Sequence, residues 1–230
     1  MKLSIIMPVY NEEKAIEKII DKVKAVKLCD GIQKDIIIVD DGSFDGTHCI
    51  LQKYYNDPEI RIFLRQKNQG KTDALVFGME QADGDIILIQ DADLEYDPGE
   101  YPKLLEPILT SRADVVYGSR FKGTIKNMLL INRLANMVSS FVFTLLYFHL
   151  LTDINTCFKV FRRKVLTGIV IKSKHFEFET EITAKIVNRG YKIFEIPIEY
   201  IARSRQDGKK ICWRRALEMF WCILKYRFVE

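Results

Sequence analysis

The chain has 230 residues, 48% of them hydrophobic and 29% charged, with a formal net charge of +4. That length carries one domain with a sizeable core, and the composition argues against a disordered or fibrous chain. The five cysteines (Cys29, Cys49, Cys157, Cys212, Cys222) lack CxxC or Cys/His spacing, so reduced thiols are expected rather than a disulfide framework or a zinc site.

The opening MKLSIIMPVYNEE turns polar too soon for a signal peptide. LSIIMPV (3–9) reads as a strand. After Asn11, EEKAIEKIIDKVKAV sets Ile16, Ile19, Ile20 and Val23 at helical spacing. DIIIVD (35–40) is rich in β-branched residues, as a parallel strand covered on both faces would be. Next come an expected helix over 45–55, a strand at IRIFL (60–64), a helix over 71–82 and a strand at DIILIQ (85–90). A helix over 98–110 and a strand at DVVYGS (114–119) follow. This alternation predicts an α/β fold with a mostly parallel sheet and right-handed crossovers. Ligands of such sheets sit off the carboxyl ends of the strands. The ends here, PVYNE, VDDGS, RQKNQG and IQDAD, are expected to converge on one site.

The second half differs. NMLLINRLANMVSSFVFTLLYFHLL (127–151) reads as a helix with a narrow polar stripe of Asn132, Asn136, Ser139, Ser140 and Thr144, and Arg133 beside it. Two readings stay open, a core helix and an amphipathic helix at a membrane interface. The C-terminal segment, 209–230, mixes Trp, Phe and Tyr with Lys and Arg, as headgroup-level helices do. From Lys159 onward the chain is basic, which points to anionic partners. No helix-turn-helix, finger or RNP pattern accompanies it, so nucleic acid is not expected.

Four carboxylates crowd 91-DADLEYD-97. An EF-hand loop would need Gly and Glu where Tyr96 and Pro102 stand. A phosphatase-type Asp nucleophile would follow the first strand, not the fourth. A solvated acidic turn is the plain alternative. Asp91 and Asp93, at a strand end, suit Mg2+ or Mn2+, which leave positions open for phosphates. In 38-IVDDGSFDGT-47, Gly42 and Gly46 permit a tight turn and Asp45 a cap. Asp40 and Asp41 remain as acceptors for base or ribose donors. No G-x-G-x-x-G is present, and GKT at 70–72 lacks the earlier glycine of a P-loop, Arg65 standing there. Lys71, at a helix start, can still approach a phosphate.

PVYNE (8–12), VDDGSFDGT (39–47), NQGK (68–71), DADLEYDP (91–98), GSRF (118–121), NRLAN (132–136), DINTCFKVFRR (153–163), FEFETEI (176–182) and PIEY (197–200) stand in the order found in family 2 glycosyltransferases. The chain resembles in particular the polyprenol-phosphate hexose synthases, whose best-known branch makes dolichol-phosphate mannose. The resemblance spans almost the whole chain and implies a single GT-A domain over 1–230, with a mostly parallel sheet flanked by helices. It further implies inverting, metal-dependent transfer of a hexose from a nucleotide diphosphate sugar to a polyprenyl or dolichyl phosphate.

By the same resemblance Pro8, Tyr10, Glu12 and Asp41 line the nucleotide pocket, with Asp40 and Lys71 beside them. Asp91 and Asp93 hold the Mg2+ or Mn2+, and Glu95 falls where a relative has a Gln ligand. Arg120 and Arg133 grip the acceptor phosphate, with Asn136 near, and Arg203, Lys209 and Lys210 form a basic loop at the donor pyrophosphate. Asp93, Arg120 and Arg133 are the implied catalytic residues. The acids of FEFETEI (Glu177, Glu179, Glu181) either assist at the sugar or cap a helix. Mannose-specific relatives often read DADLSHHP and DLTGSFRLYR, so DADLEYDP and DINTCFKVFRR leave GDP-mannose only narrowly ahead of UDP-glucose or UDP-N-acetylglucosamine. A processive polymerase is not expected, because QxxRW is replaced by CWRRA (212–216). No C-terminal membrane span precedes Glu230, so a peripheral enzyme on the cytoplasmic face is expected, with a separate membrane protein as a further partner. A transferase with a soluble acceptor and a non-catalytic binding protein are the other readings.

Overall fold

The computed structural model describes residues 1–173, 177–203 and 213–229. Seven strands among them form one sheet in the order β3-β2-β1-β4-β6-β5-β7. They are β1 (Lys2–Val9), β2 (Gln33–Asp40), β3 (Ile60–Leu64), β4 (Ile86–Ile89), β5 (Val115–Lys126), β6 (Lys159–Arg162) and β7 (Ile193–Ile201). The helices are α1 (Ile16–Ala25), α2 (Thr47–Leu51), α3 (Lys71–Gln81), α4 (Tyr101–Leu109), α5 (Leu130–Tyr147), α6 (Arg163–Leu166), α7 (Phe178–Asn188) and α8 (Trp213–Phe228).

The first half follows the expected alternation. β1 pairs in parallel with β2 and β4, and β2 with β3. Asp35 to Asp40 of β2 are all buried, as a strand covered on both faces requires. The expected helix over 98–110 opens as a 3-10 turn at Pro98, where Asp97 Oδ1 accepts the Gly99 N–H at 3.1 Å, and continues as α4. The second half adds strands the periodicity did not predict. β6 is antiparallel and sits between β4 and β5. Only four residues long and flanked by basic side chains, it carries no period of its own. β7 then pairs in parallel with β5, which bends where its register shifts between Ser119 and Thr124.

α5 is not a core helix. Only Ser139, Ser140, Phe143 and Tyr147 are buried. The polar stripe faces the protein together with Phe143 and Tyr147, while much of the apolar arc faces outward. Ser140 Oγ accepts the Ile154 N–H at 3.2 Å, Thr144 Oγ1 accepts the Leu151 N–H at 3.2 Å, and Asn136 Oδ1 accepts Asn155 Nδ2 at 3.0 Å. Leu134, Met137, Phe141 and Leu145 point outward. This inverts the usual amphipathic arrangement. By length and composition α5 is long and apolar enough to cross a membrane. In this fold it lies along the protein, anchored by Phe143 stacked on Tyr147 at 4.1 Å and by the Tyr147 hydroxyl donating to the Ile223 carbonyl of α8 at 2.9 Å.

The orientation of α5 is open to a paired test in urea. Phe143→Ala removes a buried ring and is expected to cost about 3–5 kcal/mol. Phe141→Ala, at a position 62% exposed, is expected to stay within about 0.5 kcal/mol. Equal losses in the two variants would mean that α5 is rotated from the placement described.

Candidate active site

The carboxyl ends of the strands open onto one cavity of about 580 Å3. The β1 end contributes Pro8, Tyr10 and Glu12, the β2 end Asp41, and the start of α3 Lys71. Asp91, Asp93 and Glu95 follow β4, and Arg120 comes from β5. The expected convergence of strand ends is therefore what the chain folds into.

Local backbone chemistry aims these groups. Gly42 has φ +75°, and a Cβ there would lie 2.7 Å from the Lys67 carbonyl carbon. Only glycine lets the 67–70 loop close over Asp41. The Asp41 carboxylate then accepts the N–H groups of Gln69 (3.0 Å) and Gly70 (2.7 Å). Burial nevertheless raises its pKa above the ordinary carboxylate value. At the fourth strand end, Gln90 is buried and accepts the Tyr101 hydroxyl at 2.6 Å. Leu94 takes a left-handed φ of +63°, uncommon for a branched residue, and Asp93 Oδ1 accepts the Glu95 N–H at 3.1 Å.

Two cations lie among the acids. Lys71 Nζ is 2.9 Å from Asp91 Oδ1 and 3.0 Å from Glu179 Oε1. Burial opposes the lysine charge, and the Asp91 and Glu179 carboxylates outweigh it, holding the pKa well above the usual range. Arg203 Nη2 is 2.6 Å from Glu12 Oε1 and 3.2 Å from Asp93 Oδ2. Asp91 and Asp93 thus offer hard oxygen donors, each already drawing a positive group, beside a cavity with room for a diphosphate. That donor set fits Mg2+ or Mn2+ with open positions. No cluster of three His, Cys, Asp or Glu side chains placed to hold a metal exists among the described residues.

Several expected roles change. Glu95 lines the cavity, but its Oε2 accepts the Tyr200 hydroxyl at 2.6 Å and its Oε1 the Arg203 backbone N–H at 2.9 Å. Its oxygens tie the β7 end to the acidic turn, so both already have protein donors. Asp40 is buried, does not line the cavity, and accepts the Ser43 N–H at 3.0 Å, so it holds the turn. Arg120 is committed to Asp153, with Nε to Oδ2 and Nη2 to Oδ1 both at 2.7 Å. Its charge is balanced within the fold. Asn136 sits beside this pair, 3.5 Å from Arg120 Nη2. Arg133 is exposed on the first turn of α5 and does not line the cavity. Lys209 and Lys210 lie outside the described residues. Asn155, Cys157 and Tyr200 also line the cavity and were not singled out, although each falls within a quoted block. Of the three FEFETEI acids, Glu179 lines the cavity, while Glu181 is buried against Lys185 and the N–H groups of Lys172 and Ser173.

A seven-stranded mixed sheet with flanking helices and this acid-rich cavity define a GT-A glycosyltransferase. The chain matches the model for Glycosyl transferase family 2 over residues 4–169 and belongs to that family. It is 28% identical to a dolichol-phosphate mannosyltransferase of Pyrococcus furiosus over 91% of its own length, and spans 59% of that relative. It is 30% identical to an uncharacterized Methanocaldococcus jannaschii protein, with 87% of this chain and 82% of the relative covered. Among solved structures, glucosyl-3-phosphoglycerate synthase of Mycobacterium tuberculosis with Mn2+ and UDP-glucose aligns with TM-score 0.79 at 20% identity, over all of this chain and 80% of that one. At that identity the likeness shows the fold.

Beneath the cavity, the Lys159 ammonium donates to the Ile154 carbonyl at 3.0 Å and to the Thr156 carbonyl. Burial pushes its pKa down to about 8, against the pull of Glu179 and Asp153. An unfolded lysine titrates near 10.5. Between those values the unfolded chain keeps a proton that the folded chain has released, so this group makes stability rise with pH and adds no slope below about 8. Urea midpoints from about pH 8 to about pH 10 are expected to rise less in Lys159→Met than in the wild type. Equal slopes would remove Lys159 as the source.

Proposed function

We propose that the protein transfers a hexose, mannose favoured, from a nucleotide diphosphate sugar to a polyprenyl or dolichyl phosphate at a membrane surface, with inversion. One observation carries this reading. The acidic cavity reaches the inward polar side of α5 at Arg120, Asn136 and Asn155, and the opposite side of the same helix is an exposed apolar face. The name of the Pyrococcus relative favours mannose as the sugar and dolichol phosphate as the acceptor. The ligands in the Mycobacterium structures make UDP-glucose the second donor to test.

In this reading an oxygen of the acceptor phosphate attacks the anomeric carbon from the face opposite the leaving group. The bond to the diphosphate breaks, and its electron pair leaves with the nucleoside diphosphate. A phosphate monoester has a second pKa of about 6, so the nucleophile is already ionised and needs orientation more than a base. Tyr10 and Asp41 hold the nucleoside, and Lys71 and Arg203 face its diphosphate. Asp91 and Asp93 would hold Mg2+ or Mn2+, which when bound supplies neutralisation of the charge on the leaving diphosphate. Arg120, fixed by Asp153, orients the acceptor side, and Arg133 meets the phosphate at the surface.

The membrane part rests on the exposed apolar side chains of α5, continued on α8 by Trp221, Leu224 and Phe228 with Lys225 and Arg227 beside them. Such a rim of aromatic and basic residues suits a headgroup boundary. Exposed Cys29 and Cys49 fit the reducing, cytoplasmic side.

A donor panel of GDP-mannose, UDP-glucose and UDP-N-acetylglucosamine with a short polyprenyl phosphate tests the chemistry. Transfer from GDP-mannose is expected, and Asp93→Ala is expected to lose roughly a hundredfold or more in metal-dependent rate. No transfer from any donor, or full rate in Asp93→Ala, would sink the proposal. Flotation with anionic vesicles tests the surface. Phe141→Asp with Leu145→Asp is expected to stay in the soluble fraction while keeping its urea midpoint. Co-flotation equal to the wild type would contradict vesicle docking through α5 and leave that face to a membrane partner protein.

A further inference from the structure

Asp91 and Asp93 each already have a cation of the protein's own against them, and the two cations come from distant parts of the chain. Lys71 is the first residue of α3, and Arg203 lies just past β7. Their side chains are only 23% and 26% exposed, so water screens them incompletely. Each also has a second acid within reach. Lys71 spans Asp91 and Glu179 at 2.9 and 3.0 Å, and Arg203 spans Glu12 and Asp93 at 2.6 and 3.2 Å. Both can therefore let go of Asp91 or Asp93 without being left unpaired.

A divalent metal arriving alone competes with two cations for the same oxygens. A nucleoside diphosphate arriving alone meets cations still tied to acids. With both present, Asp91 and Asp93 would hold the metal, and the freed Lys71 ammonium and Arg203 guanidinium would face the diphosphate. We propose that Lys71 and Arg203 act as internal counter-cations of Asp91 and Asp93, so that metal and nucleoside diphosphate bind weakly apart and tightly together. The inference rests on the reading that Asp91 and Asp93 hold the metal. Because coupling between two ligands is reciprocal, each must tighten the other by the same factor.

The test measures binding rather than turnover. Free Mn2+ is followed by electron paramagnetic resonance over the full chain, with and without GDP or UDP. Nucleotide binding is followed by equilibrium dialysis, with and without Mn2+. In the wild type each ligand is expected to tighten the other by about tenfold or more. Lys71→Met is expected to bind Mn2+ alone roughly fivefold more tightly and to lose most of the coupling. Arg203→Gln is expected to shift in the same direction, and it carries the test if Lys71→Met does not fold by circular dichroism. Folded variants that bind Mn2+ alone no better than the wild type would overturn the proposal. So would Mn2+ binding in the wild type that is tight and indifferent to nucleotide. If that tight binding vanished in Asp93→Ala, the metal reading would stand and the counter-cation role alone would fall. No Mn2+ binding under either condition would remove both.

Discussion

The candidate active site depends on the register of three parallel strands. Val9 of β1 stands opposite Asp40 of β2, and Ile6 of β1 opposite Ile89 of β4. Tyr10 to Glu12, Asp41 and Asp91 to Asp93 therefore leave the sheet together at its carboxyl edge. The register is held by burial, since the β4 residues and the last six of β2 are all buried. A slip of one residue would exchange the faces of every side chain in the strand. The acids are thus placed by the least adjustable part of the fold, and the turns after the strands only have to aim them.

Gathering acids at one edge is unfavourable unless cations come with them, and the fold supplies these from far away. Lys71 comes from α3, and Arg203 follows a strand at the opposite end of the sheet from β2. Asp41 relies mainly on backbone N–H groups, and its raised pKa shows the desolvation they leave uncompensated. Arg120 and Asp153 form a further pair, with the acid wholly buried. A buried pair of this kind is weak evidence for stability. Its clearer effect is positional, since a two-point contact fixes the plane and direction of the guanidinium at the cavity wall.

The sequence showed the parallel half of the fold because each strand there is a run of β-branched residues closed by a polar turn. β6 escaped notice because four residues with basic neighbours have no period to read, and the buried Lys159 contradicts any pattern of apolar strand positions. Asp91 and Asp93 were legible as a pair at a strand end. Glu95 is expected at the metal through the resemblance alone, and nothing along the chain signals its hydrogen-bond partner Tyr200, which is 105 residues away. The α5 pattern displayed two faces without saying which was inward. That choice depended on backbone N–H groups of the 151–154 loop needing acceptors, a demand invisible along the helix itself.

That inversion joins the surface of the molecule to its site. The loop from Leu151 to Asn155 is held from one side by Asn136, Ser140 and Thr144 of α5. From the other side Glu195 of β7 accepts the N–H groups of Thr152 and Asp153 at 2.9 and 3.0 Å. The same loop carries Asp153, which fixes Arg120, and Asn155, which lines the cavity. α5 turns polar residues inward because the loop needs acceptors there, and it is left with an apolar outer face because nothing inside the fold remains to cover it. Whatever covers that face rests on the helix that braces the guanidinium of Arg120. The position of the Arg120 charge and the position of the apolar surface are therefore set by one row of side chains.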